Sequence, residues 1–224
     1  MMTQPLVLWD IDGTLLSTGG SGRAAMAAAF AGLHGVDDAF EALSFAGRTD
    51  SGIVAQAYAR AGVPLPPTGT APLHDTYLVE LERRLAARTP RLMPGVPSIV
   101  GEVGALAFSS LLTGNWREGA RRKLAAVQLW SSFEAGAYGD DSPRRDDLVP
   151  IARRRARDAG WGGGPVVVIG DTVHDVQCAR AGDAIAVAVC TGWGPRADLE
   201  EVNPDLLLED LVSGRDALMR VLTT

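Results

Sequence analysis

The sequence predicts an α/β fold, a doubly wound parallel sheet with a helical insert. Three observations lead there. Short apolar runs recur at 6–9 (LVLW), 106–112 (LAFSSLL), 166–169 (VVVI), 184–189 (AIAVAV) and 206–208 (LLL). Helix-like segments separate the later runs, and that alternation sets strands in parallel with helices on both faces. Between the first two runs no convincing strand occurs, and GRAAMAAAFAGL, SGIVAQAYARAG and LHDTYLVELERRLAAR read as helices instead.

Leu6 to Trp9 shows no polar alternation, so it is expected as a strand buried on both faces. STGGSG at 17–22 and TPRLMPG at 89–95 bracket the helical stretch and are rich in residues that interrupt regular structure, which suits paired linkers. The expected organisation is a core domain of residues 1–17 and 92–224 and a helical cap domain of residues 18–91, seated as a lid above the end of the first strand. REGARRKLAAV, after the second run, reads as a helix, and the arginines of RRRAR at 153–157 are expected on the solvated face of another.

A net charge of −6 and a pI near 5.1 disfavour nucleic acid as a partner, because a nucleic-acid footprint is basic. Only Cys178 and Cys190 occur, in no CxxC pattern, which argues against a disulfide framework or a cysteine zinc site. No membrane-length apolar run and no leader-like N-terminus are present, so no membrane partner and a cytoplasmic location are expected.

Ligands of open parallel sheets bind beyond the carboxyl ends of the strands. Asp10, Asp12, Gly13 and Thr14 follow the first run, Thr113, Gly114 and Asn115 the second, and Gly170, Asp171 and Asp175 the third. Strand residues alternate faces, so Asp10 and Asp12 can share one ligand. Asp12-Gly13 alone could be a simple turn, but carboxylates at a second strand end make that account weaker. Carboxylates converging in one crevice repel one another unless a cation lies between them, and an oxygen-only donor set points to Mg2+ with a phosphate substrate. Thr113-Gly114-Asn115 before a helix suits phosphate through a hydroxyl and backbone N–H groups, although either polar side chain could instead cap that helix.

DIDGT, LLTGN, a basic residue and GDTVHD, in that order and with a cap-sized insert after the first, resemble the haloacid dehalogenase superfamily. The similarity is to its magnesium-dependent, capped phosphatase branch, which includes phosphoglycolate phosphatases and β-phosphoglucomutases. It implies a Rossmann-like core with an inserted helical cap and a phosphoric monoester hydrolase acting on a small phosphorylated metabolite as a monomer or homodimer. It also implies Asp10 as the nucleophile that becomes an aspartyl-phosphate and Asp12 as the acid that protonates the leaving oxygen and then activates water. Asp10, the backbone carbonyl of Asp12 and Asp171 would hold Mg2+, with Asp175 ordering or sharing that shell. Thr113 would bind the phosphoryl group with Gly13, Gly114 and Asn115 around it.

The family commonly places a lysine between the second and third motifs, where this chain reads GDDSPRRDDLVPIA. Arg145 is the choice for that station, with Arg144 as the alternative one register away. Lys123, the only nearby lysine, is the remaining alternative for the station, but it falls only ten residues after Thr113 and is expected on a solvated helix face. GRTDSGIV resembles a cap loop that reaches towards substrate, which makes Arg48 and Thr49 candidates, while Asp50 is expected as a helix N-cap. His174 is expected to face solvent, His34 and His74 have no partners at ligand spacing, and Trp116 either lines the pocket or packs. A phosphomutase would use the same residues, and a catalytically silent phosphometabolite-binding or regulatory protein is the reading of a different class. Asp12 argues against a hydrolytic dehalogenase, a branch that lacks this acid.

Overall fold

The computed structural model describes residues 4–67 and 69–223 of the 224-residue chain. Six strands, β1 (Leu6–Trp9), β4 (Phe108–Leu112), β5 (Ala135–Ala137), β6 (Val166–Gly170), β7 (Ile185–Val189) and β8 (Leu206–Leu208), form one parallel sheet in the order β5-β4-β1-β6-β7-β8. Every apolar run of the sequence supplies a strand, and β5 adds one that Ala-Gly-Ala could not announce by hydrophobicity. Helices α4 (Val96–Leu106), α5 (Arg117–Ala125), α6 (Leu148–Asp158), α7 (Val173–Ala181), α8 (Arg196–Glu201) and α9 (Arg215–Thr223) accompany the sheet. No described helix is long and apolar enough to cross a membrane.

β1 lies at the centre and is buried on both faces: Val7 and Trp9 join one hydrophobic cluster with Ile99, Val103 and Leu218, and Leu6 and Leu8 join another with Leu148, Ala152 and Val176. Its last residue, Trp9, stands opposite Leu111 of β4 and Ile169 of β6. This register brings the chain beyond β1, β4 and β6 to one level, as a parallel arrangement requires for a shared site.

The helices α1 (Ser21–His34), α2 (Asp50–Ala61) and α3 (Ala71–Ala87) surround a core of their own, which includes Phe30, Phe40, Ile53 and Leu81. The expected linkers are more regular than their composition suggested. β2 (Leu16–Ser17) pairs antiparallel with β3 (Arg91–Leu92), so the chain leaves and re-enters the sheet layer through one short ribbon. Trp116, from the loop after β4, completes the core of this helical layer and packs edge-on against His74 and Tyr77.

Candidate active site

Beyond the sheet's carboxyl edge lies a cavity of about 450 Å3, bordered by both layers; Asp10, Asp12, Thr113, Arg145 and Asp171 form part of its wall. That volume falls within the ~300–1,000 Å3 usual for small-molecule sites. Asp10, Asp171 and Asp175 each bring one carboxylate oxygen within 4.8 Å of the others, and all three are buried. The sequence motifs at the ends of β1 and β6 therefore meet in space.

Glycines make this convergence possible. Gly13 has φ +93°, and a Cβ there would fall 2.3 Å from Asp171 Oδ2. A Cβ on Gly192, from the loop after β7, would lie still closer to the same oxygen. Thr14 Oγ1 donates to Asp171 Oδ1 at 3.1 Å, and Thr191 Oγ1 donates to the Gly13 carbonyl at 2.6 Å. Thr191 and Gly192 are not announced by the sequence, because TGWG matches no catalytic pattern: Gly192 acts by lacking a side chain and Thr191 by bonding the Gly13 carbonyl.

Burial pushes the Asp10 carboxyl up to about 7; the Arg145 cation pulls it down, and the charges of Asp175 and Asp12 push it up. Burial, with the charges of Asp10 and Asp175, raises Asp171 well above the usual carboxylate range. Burial and mutual repulsion oppose ionisation of Asp10 and Asp171, whereas a cation between them would favour the ionised forms. An all-oxygen donor set, without histidine or cysteine, fits a hard divalent metal.

Arg145 sits in a 3₁₀ turn (Arg145–Asp147) leading into α6. Its Nη2 donates to Asp10 Oδ1 at 2.8 Å and to Asp175 Oδ1 at 2.5 Å, while Cys178 Sγ donates to its carbonyl at 3.1 Å. Burial alone would favour loss of the guanidinium charge, but the Asp175 and Asp10 carboxylates outweigh it and hold the cation. Its Nε is buried without a partner among the described residues, so the fork is not spent on the two carboxylates. Arg144, by contrast, points outward and pairs with Asp147. Asp175 Oδ2 accepts from Thr172 N at 3.0 Å and Oγ1 at 2.7 Å, so both its oxygens are engaged by the protein.

Lys123 departs from expectation. It is 3 % exposed, and its Nζ donates to Asp12 Oδ2 and Asn115 Oδ1, both at 2.5 Å. On α5 the arginines 121 and 122 turn out to Glu118, while Lys123 shares the buried side with Gly119, Ala120 and Leu124. The spacing Ala120–Lys123–Leu124, i, i+3 and i+4, was the missed signal: it puts the lysine on the apolar stripe. Asn115 Nδ2 donates to Asp12 Oδ2 and Thr113 Oγ1, both at 2.8 Å, so neither Asn115 nor Thr113 caps α5.

The cap loop is also corrected in part. Arg48 borders the cavity, but Thr49 does not: it is the N-cap of α2, accepting from Gly52 N at 3.1 Å and donating to the Pro143 carbonyl at 2.7 Å. Asp50, expected as that cap, lies in the first turn and accepts from Trp116 N at 2.8 Å. Asp50 N in turn donates to the Gly114 carbonyl at 2.7 Å. A Cβ on Gly114 would lie in the Arg48 carbonyl, so this glycine is required for close approach of the two layers. His174 is half-buried rather than exposed, because Gly47 of the cap loop packs over it.

Residues 7–180 match the family model for haloacid dehalogenase-like hydrolases, and residues 149–213 match a second, hydrolase-like model of the same group. A phosphoglycolate phosphatase of Synechococcus elongatus is 31% identical over 161 residues, spanning 68% of this chain and 74% of its own length. The chain belongs to the haloacid dehalogenase-like hydrolases. A phosphoglycolate phosphatase of Agrobacterium fabrum is 24% identical across 98% of this chain and 94% of its own. CbbY of Rhodobacter sphaeroides, solved with phosphate, shares the fold with a TM-score of 0.72 at 18% identity, over 95% of this chain and 96% of its own. A mutant of CbbY, solved with xylulose-(1,5)-bisphosphate, gives 0.71 at 19% identity, over 93% and 95%. The chain is thus a phosphatase of the capped haloacid dehalogenase type.

Proposed function

We propose that the chain hydrolyses the phosphomonoester of a small metabolite through an aspartyl-phosphate on Asp10. The observation that carries this reading is the meeting of Asp10, Asp171, Asp175 and Arg145 in one buried cluster at the strand ends. An oxygen of Asp10 attacks phosphorus as the ester P–O bond breaks, and Asp12 gives its proton to the departing alkoxide. Asp12 then takes a proton from the water that attacks the aspartyl-phosphate, which releases phosphate and restores Asp10. Thr113 Oγ1 accepts from Asn115, and its own proton is donated to no described protein group, so it is available to a phosphoryl oxygen. Arg145 supplies fixed positive charge against Asp10 and the phosphoryl group.

Asp10 and Asp171 would hold Mg2+, with the Asp12 carbonyl, and the ion would neutralise phosphoryl charge beside the nucleophile. Asp175 orders the shell by aligning Arg145, since its oxygens already serve Arg145 and Thr172. Residues 18–91 act as the lid, with Arg48 the cap residue closest in role to a substrate contact. The basic Arg23 and Arg48 on the cavity wall suit an anionic metabolite, and 2-phosphoglycolate is the first candidate because two relatives carry that name.

The test is hydrolysis of a generic aryl phosphate and of a panel of phosphorylated acids and sugars, with Mg2+ and with chelator. Rapid acid quench of labelled substrate should trap phosphate on the wild-type protein and none on Asp10→Asn. Undiminished turnover after thorough chelation, or full activity of Asp10→Asn, would sink the mechanism.

A further inference from the structure

We infer that Lys123 is a positioning residue for Asp12: together with Asn115 it fixes the Oδ2 oxygen, leaving Oδ1 to exchange the proton with the leaving group. The inference rests on the mechanism proposed above. Two donors converge on Oδ2, Lys123 Nζ at 2.5 Å and Asn115 Nδ2 at 2.8 Å, and Lys123 also bonds Asn115 Oδ1, closing a triangle. No hydrogen bond reaches Asp12 Oδ1 among the described residues, and the Asp12 side chain keeps 35% of its exposure on the cavity against 4% for Lys123.

A buried ammonium is costly unless charged and polar partners surround it, so Lys123 binds tightly to the geometry that supplies them. Phosphoryl charge is not its natural target, because Arg145 already occupies that station beside Asp10 and Nζ is committed to Asp12 and Asn115. Gly22, in the first helix of the cap, covers the ammonium: a Cβ there would lie 3.2 Å from Nζ and 3.5 Å from Cε. The cap thus closes over the group that orients the acid, on the same helix that follows the phosphate loop. A carboxylate free to rotate would spend part of its time away from the leaving oxygen, and general acid catalysis depends on that alignment.

Lys123→Met and Lys123→Gln, the second keeping a polar end should the first fold poorly, test this against esters of graded leaving-group basicity. Turnover of alkyl phosphates should fall on the order of 10-fold or more, and that of an activated aryl phosphate by less than about threefold, with KM little changed. In an Asp12→Asn background the same substitution should cost almost nothing further, because the group it positions is gone. Equal losses across leaving groups, a change confined to KM, or an undiminished loss in the Asp12→Asn background would each overturn the positioning role. A wild-type protein inert towards every ester would overturn the phosphatase mechanism itself, and is distinguished by that control.

Discussion

Arg145 Nη2 donates to Asp10 Oδ1 at 2.8 Å across 135 positions of sequence, from a 3₁₀ turn anchored by Cys178 beneath it. Arg145→Ala removes a cation from a desolvated cluster and leaves Asp10, Asp171 and Asp175 facing one another. Turnover should fall roughly 10²-fold or more, the scale of losing one charge-assisted contact in such a site. Arg145→Lys should recover part of the rate by restoring charge without the fork. Arg144→Ala, which removes only an exposed pair with Asp147, should change turnover little. Steady-state rates beside thermal unfolding decide it, and a folded, inactive Arg144→Ala would reverse the assignment.

Gly13 combines a positive φ with close approach to a metal-site carboxylate. Gly13→Ala sets a methyl 2.3 Å from Asp171 Oδ2 at a left-handed φ, so the carboxylate must move or the loop must unwind. Activity should be lost and Mg2+ affinity, measured by calorimetry on the non-turning protein, should weaken markedly. Retained affinity with lost activity would mean that the strain falls on Asp12 instead.

The sheet was legible because a strand buried on both faces has to be an apolar run, and Asp10, Asp12 and Asp171 were legible because carboxylates at such strand ends have no packing use. β5 escaped because Ala135-Gly136-Ala137 fills a narrow edge position with small residues. Lys123 escaped because a charge on a helix ordinarily marks the solvated face, although its i+3 spacing from Ala120 places it inward. Thr49 and Asp50 were displaced by one position of helix start, a shift that turns a pocket candidate into a cap and a cap into an acceptor for Trp116. Gly192 acts only by having no side chain, which one sequence cannot announce.

Binding of Mg2+ should stabilise the wild-type protein by an amount that grows with the logarithm of Mg2+ concentration above its Kd, because the folded state alone assembles the three carboxylates. The melting temperature should rise with Mg2+ concentration. Asp10→Asn should melt higher than the wild type in chelator at neutral pH, since one mutually repelling carboxylate has been removed, and should gain less from the metal. Thermal scans with and without chelator check both halves; equal Mg2+ shifts in the two proteins would place the ion elsewhere.

The pH dependence of the seam between the layers turns on Asp50. Burial pushes its carboxyl up to about 6 from 3.8, against the opposing pull of Lys123 and the Trp116 N–H. A folded state that holds a proton the unfolded chain has released loses stability as pH rises: the contribution is full below about pH 4 and gone once pH has passed about 6. Two units correspond to roughly 3 kcal/mol at most. Asp50→Asn keeps an oxygen to accept from Trp116 N and cannot ionise, so its stability should lack this slope and exceed that of the wild type above pH 6. Urea midpoints of both proteins between pH 4 and 8, with Mg2+ saturating so that the acidic cluster is held constant, give the comparison. Parallel curves would mean that Asp50 is already ionised throughout, with Lys123 compensating its burial in full.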